Sequence, residues 1–585
     1  MRLPSLSFIF TLVILGAACT GPSSVPQKDE IMPTDNAPHA DKPTSPSPSK
    51  RSFSKQILYD LLVAEFARQR NQLPLAASGY LNVATASREA VVAEQATRLA
   101  LLAKDQQRAE KAARLWMELD PDAVDAKRIY AALLIYAGNL QESVPILSAL
   151  LENPRLPPKR KFLSVGELLG QAKDKKAALA VMERIMAKYD TDPNAQFALA
   201  RFLTQTGKKE RAARLLERVI AIDEKNPQAW LYYAKLLHDQ GKTAQAIRTF
   251  SNALAKGVED KNIRVGLVQL LISEERHQEA RKQFRELIAI DPEDAEVRYV
   301  LALFLMQTEH LEEAQGHLRH LIDQEKFVHE AYFGLGQIAE SREDPGAAME
   351  FYRKVDGGKH HLDARLRIAN LLAQQKKTQE ARRYLHDSTP ETPAESVRLY
   401  RMEGLILTDA GELEEAMSTY DAALRKHSKN SELLYERAML AGRMNRLSIL
   451  EHDLKDLLSR EPNHAEALNA LGYTLADQTD RYQEAMGLIR RALALSPNSY
   501  YVLDSMGWVL YRLGQHQQAI DYLQRALAIQ QDAEVAAHLG EVLWVTGNRR
   551  AAWDVWNKAR KEAPDDKRLL DVIKRFAPTG AENEK

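Results

Sequence analysis

Alanine returns at a fixed interval through the middle of this chain. Ala178, Ala212, Ala246, Ala280, Ala314 and Ala348 each stand 34 residues apart, and the column continues with small slips through Ala381, Ala416, Ala485, Ala519 and Ala552. Towards the N-terminus it fades through Ser143 and Ala109 to Ala76 or Ala77. An interval of that size means that one supersecondary unit is copied along the chain, each copy burying its apolar face against the next. Between the alanines run pairs of short segments with helical apolar periodicity, broken by Gly, Asn or Asp-Pro, with no convincing strand alternation. The expected fold is all-α.

A 34-residue helix–turn–helix period resembles that of the tetratricopeptide repeat. Other columns keep its register. With Pro227 as the first position, Trp230 falls at the fourth, Gly241 at the turn, and Ala246, Phe250 and Ala253 on the second helix. Ala533 opens a similar set, with Leu539-Gly540, Gly547, Ala552, Trp556, Ala559 and a closing Pro564. Small residues at the eighth, twentieth and twenty-seventh positions let two helices approach, and large ones between them fill the gap. The resemblance implies a superhelical solenoid of about 14–15 hairpins, with weaker matches at 124–192 and 431–464 and one extra residue in Gln478–Tyr482. The array is expected over 91–566, after an N-terminal helical region at 51–90, and 567–585 supplies a capping helix and tail.

The start of the chain reads differently. Residues 1–18 have the pattern of a secretory signal: Arg2, an apolar run from Phe8 to Leu15, then Gly16, Ala17 and Ala18. That run is too short to span a bilayer. Leu15-Gly16-Ala17-Ala18-Cys19 resembles the lipobox of bacterial lipoproteins, which implies lipidation at Cys19, the one cysteine in the sequence. Several acyl chains supply an anchoring that one cannot. Thr20 stands where inner-membrane lipoproteins carry Asp, so the resemblance implies the outer membrane, with the body facing the periplasm. Residues 19–50 hold seven prolines among Ser, Thr, Asp and Lys, a composition that cannot pack a core and that reads as a disordered tether.

The last third carries a further resemblance. Leu468-Asn469-Ala470-Leu471-Gly472-Tyr473, Leu503-Asp504-Ser505-Met506-Gly507-Trp508 and Ala537-His538-Leu539-Gly540-Glu541-Val542-Leu543-Trp544 are similar to the C-terminal repeats of LbcA-type outer-membrane lipoproteins. The plan of lipobox, Pro-rich tether and repeats agrees. That resemblance implies an adaptor, not an enzyme. Its partners would be a periplasmic carboxyl-terminal processing protease and the peptidoglycan hydrolases presented to it, with the membrane reached through the lipid anchor. The alternative is a lipoprotein scaffold for an envelope export or pilus machine, without proteolysis.

Motifs for chemistry are missing where they would be needed. Gly334-Leu335-Gly336-Gln337-Ile338-Ala339 spells a dinucleotide fingerprint but lies inside a first helix with no strand before it. Gly207-Lys208-Lys209 lacks the upstream glycine of a phosphate loop, and neither HExxH nor GxSxG occurs. His310, His317, His320 and His329 read as surface histidines, so no metal and no cofactor is expected. Eighty Lys and Arg balance eighty Asp and Glu, which argues against nucleic acid as a partner.

Two surfaces are candidates for partners. Phe53, Ile57, Leu58, Leu61, Leu62 and Phe66 crowd the N-terminal region, where a helix either closes the array or docks a partner. In tetratricopeptide hairpins the second, fifth, ninth, twelfth and thirteenth positions of the first helix point into the groove. Those positions hold Asn469 and Tyr473 in one hairpin, then Tyr501, Asp504, Trp508, Tyr511 and Arg512, then Glu541 and Trp544. Aromatic residues and Arg dominate binding hot spots, so these nine side chains are the expected groove site; the alternative is that Trp508 and Trp544 fill gaps between adjacent repeats.

Overall fold

A computed structural model describes residues 54–576. Thirty-one α-helices follow one another, with no strand among the described residues. They pair off along the chain into fifteen helix–turn–helix units, from Lys55–Gln69 to Arg549–Glu562, followed by the single helix Lys567–Phe576. The lipidation site Cys19, the tether and Phe53 lie outside the described residues. The array divides into two compact units, one up to His310 and one from Leu311.

One hairpin shows how the sequence builds the repeat. The Asn226 side chain accepts from the Ala229 amide at 3.4 Å and opens the helix Pro227–His238, whose proline sits where no amide partner is needed. Trp230 Nε1 donates to the Glu224 carbonyl at 2.9 Å, which fixes the entering chain. Gly241 then takes φ 74°, reverses the chain and releases Thr243–Ala255. The same left-handed turn recurs at Glu275, Glu309, Glu343 and Lys376, where no glycine helps. The repeat imposes the turn, and the local residue follows it.

The packing rule is also visible. The six alanines of the 34-residue column are fully buried. At the eighth position of the first helix, a Cβ added to Gly336, Gly404, Gly507 or Gly540 would meet Tyr352, Tyr420, Leu523 or Trp556 at 2.4, 2.3, 2.5 and 1.9 Å. In each pair the large residue stands 16 places later, on the partner helix of the same hairpin. Gly472 meets Ile489 instead, 17 places later, because the extra residue in Gln478–Tyr482 lengthens that turn. The glycine of the apparent dinucleotide fingerprint, Gly336, is thus a seat for the Tyr352 ring.

The weak stretches fold as hairpins too. Pro145 lies inside the helix Leu140–Glu152, and a short 3-10 turn at Ala187–Tyr189 follows Lys175–Met186, both of which blur the pattern. Within 431–464, Arg437 donates twice to the fully buried Asp453, at 2.7 Å each, and once to Asp421 at 2.6 Å. An ion pair there takes space that apolar residues fill elsewhere.

Candidate partner-binding surfaces

The first helix is built inside out. Ser54 Oγ accepts from the Ile57 amide at 3.2 Å and starts Lys55–Gln69. Its inner face is alanine: Ala64 and Ala67 are buried, and a Cβ on Gly79 of the partner helix Leu73–Ser87 would come within 2.7 Å of Ala64 Cβ. Bulky side chains do not fit that seam and turn outward. Leu58, Tyr59, Leu62 and Phe66 are 53%, 63%, 51% and 59% exposed, four large apolar groups on consecutive turns of one helix face. Ile57 and Leu61 are half-buried. Glu65 anchors the helix to its partner; hydrogen bonds from Arg68 at 2.5 Å and from the Tyr80 hydroxyl at 2.6 Å hold its carboxyl down at about 2.

The C-terminal site lies on three successive first helices, Ala465–Gln478, Tyr500–Arg512 and Ala533–Val545. The structure does bring the nine expected residues onto these helices. It does not leave them open. Asn469, Asp504, Trp508 and Glu541 are buried, contrary to the expectation of an exposed groove site. The reason is convergence: the Tyr473 hydroxyl reaches past the middle helix and donates to Glu534 Oε1 at 3.1 Å.

Inside this closure sits a polar cluster. His538 Nδ1 and Asp504 Oδ1 are 2.9 Å apart, and Trp508 stacks on the imidazole at a 4.2 Å centroid separation. Tyr473 packs near the same imidazole at 6.1 Å. Burial by itself disfavours a charged imidazole there; Asp504, with Glu534 and Glu541 adding, outweighs it and raises the pKa above the ordinary histidine value. Tyr511 donates to Glu541 at 3.2 Å, and its phenol is pushed up to about 12 by burial and then by that carboxylate. Arg575 and Arg568, from the terminal helix, pair with Glu541 and Glu534. His538 stands at a sixth position, which position counting does not reach; Glu534 holds the second position of its helix, which the rule does reach, although it is not among the nine expected residues.

Only the rim remains accessible. Tyr501 is 40% exposed, with Tyr500 edge-on to it at 5.7 Å. Arg512 is half-buried; it donates to the Tyr482 hydroxyl at 2.6 Å and to the Asp477 carbonyl at 3.1 Å. Trp544, also half-buried, stacks on the fully buried Trp556 at 5.7 Å and lies under the Arg549 guanidinium. Asn469 Oδ1 and Trp508 Nε1 are buried without a hydrogen-bond partner.

Comparison with known proteins agrees with the hairpin geometry. Sequence profiles described as tetratricopeptide repeat match residues 233–295, 271–338, 329–357, 366–431, 435–500 and 500–533. A profile described as anaphase-promoting complex, cyclosome, subunit 3 matches 171–253. A TPR repeat-containing protein of Pseudomonas aeruginosa is 39% identical over 490 residues, covering 84% of this chain and 83% of that protein. Among solved structures, a thermophilic TPR protein of Thermus thermophilus is 24% identical with a TM-score of 0.28, over 32% of this chain and 97% of its own. Yeast Tom70 is 13% identical with a TM-score of 0.34, over 89% and 95% of the two chains.

Proposed function

The chain belongs to the tetratricopeptide-repeat family, whose repeats serve as scaffolds for protein–protein interaction, and on that premise we propose that it is a periplasmic adaptor anchored to the outer membrane. In this reading the acylated Cys19 holds it to the membrane and residues 19–50 lift the repeats away from the lipid. The repeats bring a carboxyl-terminal processing protease together with peptidoglycan hydrolases that it degrades. The resemblance of the lipobox, the tether and the C-terminal repeats supports this reading.

The observation that carries it is the apolar face of Lys55–Gln69. An all-helical array normally buries its large apolar groups in the seams between helices. Here Leu58, Tyr59, Leu62 and Phe66 are offered to solvent at the start of the repeats. A face of that kind, rich in aromatic and aliphatic anchors, suits a protein partner that buries it. The protease is assigned to this face and the hydrolase to the repeats that follow.

Reconstitution tests the reading. Purified chain, protease and a peptidoglycan hydrolase are mixed, and hydrolase cleavage is followed with and without the chain. Faster cleavage in its presence is expected. Unchanged cleavage, with export or pilus components rather than a protease co-purifying from envelopes, would favour the assembly scaffold.

A further inference from the structure

The formal charge of the chain is zero, yet one region departs far from balance. Residues 158–222 hold fourteen Lys and Arg against seven Asp and Glu. Several of those carboxylates are occupied. Glu183 pairs with Arg211 at 2.6 Å, Glu217 accepts from the Tyr233 hydroxyl, and Asp174 and Asp192 cap helices.

The lysines concentrate at the turns inside successive hairpins. Lys173, Lys175 and Lys176 lie in one turn, Lys208 and Lys209 in the next, and Lys242 in the third. Five of the six are exposed and Lys209 is half-buried. None pairs with a carboxylate among the described residues; Lys175 and Lys209 donate only to the carbonyls of Gly170 and Asp239. Helix packing distances of about 8–10 Å place three such turns along roughly 20 Å of one edge.

These positions are electrostatically the wrong ones for cations. Lys175 and Lys176 open the helix Lys175–Met186, Lys208 and Lys209 open Lys209–Ile222, and Lys242 precedes Thr243–Ala255. Each helix start carries about half a positive charge, which favours Asp or Glu. Several later second helices follow that rule, with Glu312 and Glu313, Glu414 and Glu415, or Glu484 in the first turn, whereas Arg549–Glu562 opens on two arginines. The arginines there are also paired across hairpins, as in Arg446–Glu414 and Arg481–Glu451. Against the lysine row stand Asp174, Glu210 and Asp239, the first spent on the amides of Lys176 and Ala177. The edge therefore adds side-chain charge to dipole charge, offset in part by Glu210 and Asp239.

We propose that this turn edge, centred on Lys175, Lys176, Lys208 and Lys242, docks against the phosphate-bearing headgroups of an anionic lipid surface. Ammonium groups on flexible stems adapt to phosphates that move in two dimensions, whereas bidentate recognition of a fixed partner calls for arginine forks. No large apolar side chain is exposed between 158 and 221, and the exposed Tyr136 beside the row has the Lys173 ammonium 5.1 Å from its ring centre, an aromatic–cation pair suited to the headgroup level of a membrane. The surface potential of an anionic leaflet attracts clustered Lys within a Debye length. The inference stands apart from the adaptor reading, since it needs neither a protease nor acylation.

The test uses the full chain carrying Cys19→Ser, so that no acyl group contributes. Its binding is measured to vesicles of phosphatidylcholine with phosphatidylglycerol and to vesicles of phosphatidylcholine alone. The apolar run at Phe8–Leu15 is common to every sample, so differences report the edge. The expected result is salt-sensitive preference for the anionic vesicles. Combined Lys175→Ser, Lys176→Ser, Lys208→Ser and Lys242→Ser should weaken it about tenfold or more, while the four Lys→Arg changes preserve it at an unchanged melting temperature. Equal binding by the Ser variant overturns the proposal. So does binding to soluble polyglutamate in preference to vesicles, which would make the partner an acidic protein.

Discussion

The hydroxyl of Tyr473 donates to Glu534 across an intervening hairpin, 61 residues along the chain and 3.1 Å away in space. That bond closes the inner face of the last three hairpins over Asp504, Trp508 and His538, and it ties the terminal repeats into one cooperative piece. Tyr473→Phe should cost about 1 kcal/mol, the usual net worth of one hydrogen bond. A double-mutant cycle with Glu534→Gln in urea denaturation measures the coupling. Strict additivity would show that the two side chains do not meet in solution.

Trp508 is 7% exposed, stacked on His538 and packed at a tilt against Tyr511. Trp508→Ala should therefore lower stability by about 3–5 kcal/mol. Its Nε1 has no partner, so Trp508→Phe should cost far less, about 1.5 kcal/mol or under. Thermal melts decide between this and an open groove residue, for which the alanine variant would melt like the parent.

The Asp504–His538 pair makes stability depend on pH with a definite sign. The folded imidazole titrates above the roughly 6.5 of an unfolded histidine. Its contribution is complete below that unfolded value and is lost as pH rises through the folded one. The difference in unfolding midpoint between the parent and His538→Gln should accordingly shrink from mildly acidic to mildly alkaline buffer. A difference that stays constant, or grows with pH, would mean that the imidazole is neutral in the folded chain.

Gly540→Ala tests the seam between paired helices. The added methyl would lie 1.9 Å from Trp556 Nε1, and Trp556 is fully buried with no room to retreat. A loss of about 1–3 kcal/mol is expected from overpacking. A neutral or stabilising substitution would show that the helices slide apart freely.

Much of this architecture was legible because it repeats. A spacing of 34 residues and a Gly–large pair 16 apart are geometric rules, and even the slip from Gly472 to Ile489 can be read from one inserted residue. The site was less legible. Position counting places Trp508 and Glu541 on the inner layer, as found, yet says nothing of whether neighbouring first helices leave a gap or close it. That depends on contacts two hairpins apart, such as Tyr473–Glu534. The outward face of Lys55–Gln69 was readable only as a dense apolar set; its exposure follows from the alanine seam with Leu73–Ser87, which no periodicity announces.

Buried Asp453 accepts two hydrogen bonds from Arg437. Asp453→Ala should destabilise the chain by about 3–5 kcal/mol, because the guanidinium loses its compensation in a partly buried site. Replacing both with leucine should recover most of the loss. Denaturant titration of the three variants checks the order.

The most direct measurement for the adaptor account is the affinity of the purified chain for the carboxyl-terminal processing protease, taken with and without Leu58→Ser, Leu62→Ser and Phe66→Ser combined. All three side chains are exposed, so the fold should persist and circular dichroism should match the parent. The account predicts binding by the parent and a loss of about a hundredfold or more in the triple variant. Parent and variant binding the protease equally well, or neither binding it, would contradict the claim.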